Sequence, residues 1–256
     1  MPSPHRIQRI SQALHRRQLD LVLAFDRVHD PHNLAAILRT ADATGIPRLL
    51  WEPDTEKPEL PNPEVSKGTE RWVELTQVSS LEKALKEYQS QGFGIAATHL
   101  SARAVDFRSI DWTRPWVIVM GNEKRGCDEK ILALSTENVI LPMMGLVQSL
   151  NVSVATAVIL YEIQRQREAA GMYRRTLPKE TVEKYIDLWH LKEEGITLSD
   201  LVSPPPFDHP LVEISHTDGR SQSPRWEKKM RRADSTVPSL VSPKERNSFP
   251  PYPKSS

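Results

Sequence analysis

Trp116-Val117-Ile118-Val119-Met120-Gly121-Asn122-Glu123-Lys124-Arg125-Gly126 joins an unbroken apolar run of strand length to a polar turn bounded by glycines. A strand that is apolar at every position is buried on both faces, as in parallel sheets covered by helices on each side. Open sheets of this kind place ligands outside the carboxyl ends of their strands, and glycines there let backbone amides come close to a ligand. Working outward, Leu21 to Phe25, Arg48 to Trp51, Trp72 to Leu75, Gly94 to Thr98 and Val139 to Leu141 are further runs of strand length. Helical patterns separate several of them, most clearly Leu81 to Gln89, and the alternation predicts an α/β domain.

Asp30-Pro31 supplies a helix N-cap followed by proline at the first helical position, and Gly45 marks the end of that helix at about Thr44. At roughly 100° per residue, Arg39 points about 150° away from the centre of the stripe formed by Leu34, Ile37, Leu38 and Ala41. It therefore lies off the core face, while Asn33 sits in the first turn. The stretch from Leu141 to Ser153 puts Pro142 and Gly145 in a loop, and Gln148, Ser149 and Asn151 near the start of the longest helix, about Leu146 to Ala169. Capping accounts for one or two such polar residues, so the remainder point to a polar or anionic partner at the helix start. Leu150, Val154, Ala157, Val158 and Tyr161 line one apolar side of this helix, which ends at Gly171 and is followed by a charged helical pattern from Lys179 to Lys192.

The 256 residues carry a net charge of only +1, but the charge is unevenly distributed. Arg6, Arg9, Arg16 and Arg17 make the N-terminal helix candidate basic, and Arg165, Arg167, Arg174 and Arg175 do the same near the end of the core. The acidic stretch from Glu52 to Glu64 opposes them. A surface that tracks phosphates needs such asymmetry. The single cysteine, Cys127, leaves no intramolecular disulfide and suits a reducing compartment. No apolar run is long enough to span a membrane and the polar N-terminus is no secretory signal, so a cytoplasmic protein is expected. From Ser203 onward proline and serine crowd in, and that basic tail is expected to be disordered.

Other motifs are weaker. Gly92-Phe93-Gly94-Ile95-Ala96-Ala97 fits a dinucleotide fingerprint but precedes a strand, where the fingerprint follows one into a helix. No phosphate-binding P-loop is present. His29 and His32 beside Asp26 and Asp30 lack a second ligand cluster, so no metal is expected.

Taken together, His32-Asn33-Leu34-Ala35-Ala36-Ile37-Leu38-Arg39, Met120 to Gly126 and Leu141 to Ser153 resemble, in order and spacing, the three signature motifs of the SpoU/TrmH branch of the SPOUT RNA 2′-O-methyltransferases. Val28-His29-Asp30-Pro31-His32-Asn33, Thr98-His99-Leu100 and Ala104-Val105-Asp106-Phe107-Arg108 extend the likeness, which reaches from the N-terminal arginine helix through Tyr173. The flanking stretches are similar to the subgroup acting on the tRNA D-loop guanosine, position 18. The resemblance implies a homodimer, a trefoil knot in the C-terminal part of the sheet, and S-adenosylmethionine as methyl donor. It implies a cofactor pocket lined by Thr98, Gly121, Leu141, Met143 and Leu150. It makes Arg39 the principal catalytic residue, with Asn33, Glu123, Ser149 and Asn151 supporting it, and it assigns tRNA phosphates to the arginines named above.

The organisation expected is a basic helical extension over 1–19, a methyltransferase domain over 20–170, a helical extension over 171–202 and the tail over 203–256. Two alternatives remain. One is methylation of ribosomal RNA or of another tRNA ribose; the other is a non-catalytic RNA-binding protein on the same fold, which cofactor calorimetry separates from an enzyme.

Overall fold

The computed structural model describes residues 2–28, 30–53, 66, 68–122 and 125–204. Glu123, His29, nearly all of the acidic stretch after Glu52, and the tail beyond Pro204 lie outside the described residues.

Seven strands, β1 (Leu21–Asp26), β2 (Arg48–Glu52), β3 (Glu74–Gln77), β4 (Gly94–Thr98), β5 (Val105–Asp106), β6 (Trp116–Met120) and β7 (Glu137–Ile140), form one sheet in the order β3-β2-β1-β6-β4-β7-β5. Every neighbouring pair is parallel. From β1 the chain winds one way to β3, then crosses to the other side to lay down β4, and β6 later fills the place between β1 and β4. That reversal is the kind of switch point at which doubly wound sheets hold ligands.

Side-chain alternation along the strands sorts the core into two layers. Leu21, Leu23 and Phe25 of β1 pack beneath α2 (Pro31–Thr44) and α5 (Val152–Ala169), through Leu34, Ile37, Leu38, Ile159, Leu160 and Ile163. On the opposite face Val22 and Ala24, with Val117 and Val119 of β6, pack beneath α3 (Leu81–Ser90) and α4 (Glu129–Leu134), through Leu81, Leu85 and Ile131. Asp30 caps α2 by accepting from the His32 amide at 2.8 Å, and Gly45, at φ +79°, closes it.

A third apolar cluster joins parts distant in sequence. Ile10 and Leu14 of α1 (Pro4–His15) pack with Leu177, with Val182, Tyr185 and Ile186 of α6 (Lys179–Leu188), with Trp189, and with Leu201 of α7 (Leu198–Leu201). Buried His15 ties it: its Nδ1 accepts from the Leu177 amide at 3.1 Å and its Nε2 lies 2.8 Å from the Leu201 carbonyl. The two helical extensions thus share one core.

Several boundaries differ from the sequence expectation. The helix expected from Leu146 starts only at Val152, because Asn151 is its N-cap and residues 146–150 form an irregular segment. The stripe Leu150, Val154, Ala157, Val158 and Tyr161 is not the core side of α5. Val154, Val158 and Tyr161 are 48%, 39% and 53% exposed, and the buried side is Val152, Thr156, Ile159, Leu160 and Ile163. Strand β3 begins at Glu74, not Trp72, because residues 69–71 form a 3₁₀ turn and Trp72 is drawn edge-on against Trp189, ring centroids 5.2 Å apart. The first helix runs over Pro4–His15 where Ile7 to Leu19 was expected. Helix α4 and the short edge strand β5 had no counterpart in the periodicity.

Candidate active site

Strands β4, β6 and β7 end around one cavity of about 390 Å³. Its wall includes Thr98 and His99 from the end of β4, Met120 to Asn122 from the end of β6, Val139 to Met143 from β7 onward, Gln148 to Leu150, and Val152 and Ala155 of α5. All five residues expected to hold the cofactor, Thr98, Gly121, Leu141, Met143 and Leu150, line it, and so does Ser149. Apolar walls with a few polar and backbone groups are the usual make-up of a small-molecule pocket.

Local hydrogen bonds explain the shape. Thr98 Oγ1 donates to the Val119 carbonyl and accepts from the Gly121 amide, both at 3.2 Å, locking the ends of β4 and β6 together. Asn122 and Gly126 exchange backbone bonds of 3.0 and 2.9 Å, which folds the polar turn into a minimal hairpin. A Cβ at Gly121 would lie 2.5 Å from the Gly126 carbonyl carbon and 2.6 Å from the Cys127 nitrogen, so the close return of the chain excludes any side chain. Gly126 has φ +70°, and the nearest atom to a Cβ built there is His99 Nδ1 at 3.9 Å, so its bare backbone faces the cavity. Cys127 is buried beneath, and that burial pushes its thiol up to about 12, as befits a packing residue.

The remaining catalytic candidates lie elsewhere. Arg39 is exposed on α2, as the helical geometry anticipates, Asn33 is buried in its first turn, and neither belongs to the cavity wall of the single chain. Asn151 caps α5, its Oδ1 accepting from the Ser153 amide at 2.9 Å and from the Ser153 hydroxyl at 2.6 Å. Glu123 lies outside the described residues.

The arginines divide. Arg6, Arg9, Arg165, Arg174 and Arg175 are exposed, and Arg16 is half-buried. Arg17 and Arg167 depart from the expectation of phosphate binding because both are buried. Arg17 pairs with Asp42 and lies 5.3 Å from the centroid of the Trp189 ring. Arg167 is fully enclosed: Nε donates to the Trp112 carbonyl at 2.8 Å, Nη2 to the Arg114 carbonyl at 2.7 Å, and Nη1 to Asp20 at 2.6 Å and Gln18 at 3.1 Å.

Sequence reasoning had not singled out His99, Asn122 or Gly126 as wall residues. All three stood within quoted motifs, where adjacency was the available signal. Asn122 owes its place to a bond from its Nδ2 to the Arg27 carbonyl at 2.7 Å, a contact that no local pattern announces. Among the described residues, no cluster of three or more His, Cys, Asp or Glu side chains is arranged to hold a metal, and no helix is long and apolar enough to cross a membrane.

Comparison with known proteins agrees with this geometry. The model of the SpoU rRNA Methylase family matches residues 20–161. A tRNA (guanosine(18)-2′-O)-methyltransferase of Escherichia coli strain K12 is 47% identical over 175 residues, 68% of this chain and 75% of that protein. The crystal structure of the Aquifex aeolicus TrmH/SpoU tRNA modifying enzyme superposes with a TM-score of 0.69 at 40% identity, covering 75% of this chain and 98% of that one. The SpoU methyltransferase AviRb from Streptomyces viridochromogenes, solved in complex with AdoMet, gives a TM-score of 0.53 at 26% identity over 60% of this chain and 62% of that one. A match through both sheet layers and the cavity wall, with near-complete coverage of a solved relative, makes this chain a member of the SpoU methylase family.

Proposed function

We propose that the chain methylates the 2′-hydroxyl of guanosine 18 in the tRNA D-loop, using S-adenosylmethionine. The carrying observation is the cavity at the ends of β4, β6 and β7, whose wall gathers every expected cofactor residue together with Ser149. The relatives that match most of this chain bear the guanosine 18 name, which favours this substrate over a ribosomal one.

The cavity fits the cofactor chemically. Leu141, Met143 and Leu150 offer apolar contact for a flat base, and the bare backbone around Gly121 and Gly126 admits hydrogen bonding at close approach. When bound, S-adenosylmethionine supplies a methyl group on a sulfonium, an electrophile that needs little further activation. The protein's share is to hold the ribose hydroxyl in line and to stabilise charge as its proton leaves. A guanidinium stays protonated, so Arg39 acts by fixing a substrate phosphate and stabilising the developing alkoxide, with the proton passing to phosphate or water. Ser149, Asn33, Asn151 and Glu123 support the ribose, the cofactor or Arg39.

Arg39 stands outside the cavity wall of one chain, so the reading requires an element that completes the site. A second copy seated on the exposed apolar stripe of α5, which continues into Leu146 and Val147 at 104% and 61% exposure, is that element. The trefoil knot belongs to the same reading, as do the division into a 20–170 domain with flanking 1–19 and 171–202 helices, a metal-free mechanism and a cytoplasmic location. Exposed Arg6, Arg9, Arg165, Arg174 and Arg175 contact tRNA phosphates without reading sequence.

The deciding test is methyl transfer from labelled S-adenosylmethionine to unmodified tRNA transcripts, followed by mapping of the modified ribose. Label at guanosine 18 supports the assignment; transfer to ribosomal RNA alone, or none despite cofactor binding, overturns it. Gly121→Ala is expected to weaken S-adenosylmethionine binding by about a hundredfold in calorimetry, the order of cost when a packed site is forced open by a methyl group. Unchanged affinity would show that the hairpin does not shape the site.

A further inference from the structure

Both ends of the hairpin that walls the cavity return to one dipeptide, Asp26-Arg27, at the end of β1. At one end Asn122 Nδ2 donates to the Arg27 carbonyl at 2.7 Å. At the other, the Asp128 amide donates to Asp26 Oδ2 at 2.6 Å. The Arg27 guanidinium closes the frame, with Nε on Asp26 Oδ1 at 3.0 Å and Nη2 on Asp128 Oδ2 at 2.9 Å. Asp128 also starts α4, its Oδ1 accepting from the Lys130 amide at 3.0 Å.

Arg27 adopts φ +55°, the left-handed region that side chains other than glycine avoid. Such an outlier persists only where its surroundings over-determine it, and it clusters at functional sites. Here three contacts hold it: its amide donates to the Glu52 carbonyl at 3.0 Å, its carbonyl accepts from Asn122, and its side chain bridges two carboxylates. Asp26 is nearly fully buried, so solvent screens its half of the bridge little, while the Asp128 half is partly exposed. Four residues beyond Arg27 the chain enters α2, the helix of Asn33 and Arg39. One strained residue therefore fixes the cavity's glycine hairpin against the strand that leads to that helix.

We infer that Arg27 is a positioning residue for the methyl-transfer site: bridged between Asp26 and Asp128, it sets the hairpin of Gly121 and Gly126 to receive the cofactor, without touching cofactor or RNA. The inference rests on reading the cavity as the S-adenosylmethionine site.

Three variants of the full chain separate positioning from plain stability. Arg27→Gly removes the bridge and relieves the left-handed strain; Arg27→Ala removes the bridge and keeps the strain. Asp128→Asn keeps the helix cap and weakens the bridge. Titration calorimetry with S-adenosylmethionine is read beside the urea unfolding midpoint of each protein. The two Arg27 variants are expected to lose affinity equally, about tenfold, although Arg27→Gly unfolds at the higher urea concentration; Asp128→Asn loses about threefold. In turnover the KM for S-adenosylmethionine rises and that for tRNA stays the same. If Arg27→Ala fails to fold, Arg27→Gly and Asp128→Asn carry the test. Affinity within twofold of the unaltered chain in Arg27→Gly overturns the inference, as does a loss that follows the unfolding midpoints. An unaltered chain that binds no S-adenosylmethionine overturns the reading of the cavity, and the inference falls with it.

Discussion

Replacing Arg39 by alanine lowers the rate of methyl transfer about a thousandfold while S-adenosylmethionine affinity stays within about twofold, the size of effect seen when a donor to a developing oxyanion is removed. The split follows from where the residue sits. Arg39 is exposed on α2 and contributes nothing to the wall of the cavity, so binding of the cofactor does not sense it. On the proposed mechanism it acts in the transition state, where negative charge gathers on the ribose oxygen beside a phosphate. A planar fork grips phosphate through two parallel bonds, which an ammonium cannot copy. Arg39→Lys is accordingly expected to fall about a hundredfold in single-turnover transfer to a tRNA transcript. Near-normal turnover in that variant would mean that positive charge alone suffices and that the fork geometry is irrelevant.

Arg167→Met is expected to destabilise the fold by about 3–5 kcal/mol, the cost of stripping one partner from a buried charged network. The substitution keeps most of the side-chain volume, so the loss is electrostatic and directional. It leaves the Trp112 and Arg114 carbonyls without their donor and uncouples α5 from the start of β1 at Gln18 and Asp20. Urea unfolding measures it. Arg167 lies sixteen residues from the cap of α5, about 24 Å along the axis, so S-adenosylmethionine affinity in conditions that keep the protein folded should not change. Arg165→Ala should do the reverse: that side chain is exposed and pairs only with Glu162 among the described bonds, so the urea midpoint should stay where it is. Its tRNA affinity should fall and the salt dependence of binding should flatten. Equal stability losses in the two variants would contradict the division drawn from burial.

These neighbours also mark the limit of what the sequence discloses. Two positions apart on a helix, Arg165 and Arg167 face opposite ways, yet both read as members of one basic cluster. Knowing which faces inward requires knowing which side of α5 meets the sheet. There the pattern misleads, since the first three turns of α5 are apolar on more than one side: Ile159 and Leu160 inside, Val154, Val158 and Tyr161 outside. An apolar stripe fits a core or an interface equally well. By contrast α2 was legible, because its proline, its cap and its terminal glycine agree with a single stripe, and Arg39 fell off that stripe as expected. The strands β1, β2, β4 and β6 were legible for a similar reason, each having an unbroken apolar centre and the right length. The order of strands was not, since residues in β6 say nothing of their pairing with β1.

At the site, the motifs delivered the wall of the cavity but not its support. Thr98, Gly121 and Leu141 come together because β4, β6 and β7 end at one level, which a parallel sheet dictates. Asp26, Arg27 and Asp128 belong to no motif, and their meeting depends on a backbone angle at Arg27 that sequence gives no reason to expect.

The cluster shared by α1 and the last helices has a temporal side. His15 bonds a carbonyl 186 residues further on, so the ribosome releases the first helix long before its partners exist. At about 5–20 residues per second, Ile10 and Leu14 wait roughly ten to forty seconds for Trp189 and Leu201. During that interval the sheet between them can form, while the basic first helix carries an apolar side that Leu177, Trp189 and Leu201 cover later. Closure of this seam thus comes long after the first helix is made, and a truncation ahead of α6 returns that helix to its nascent condition.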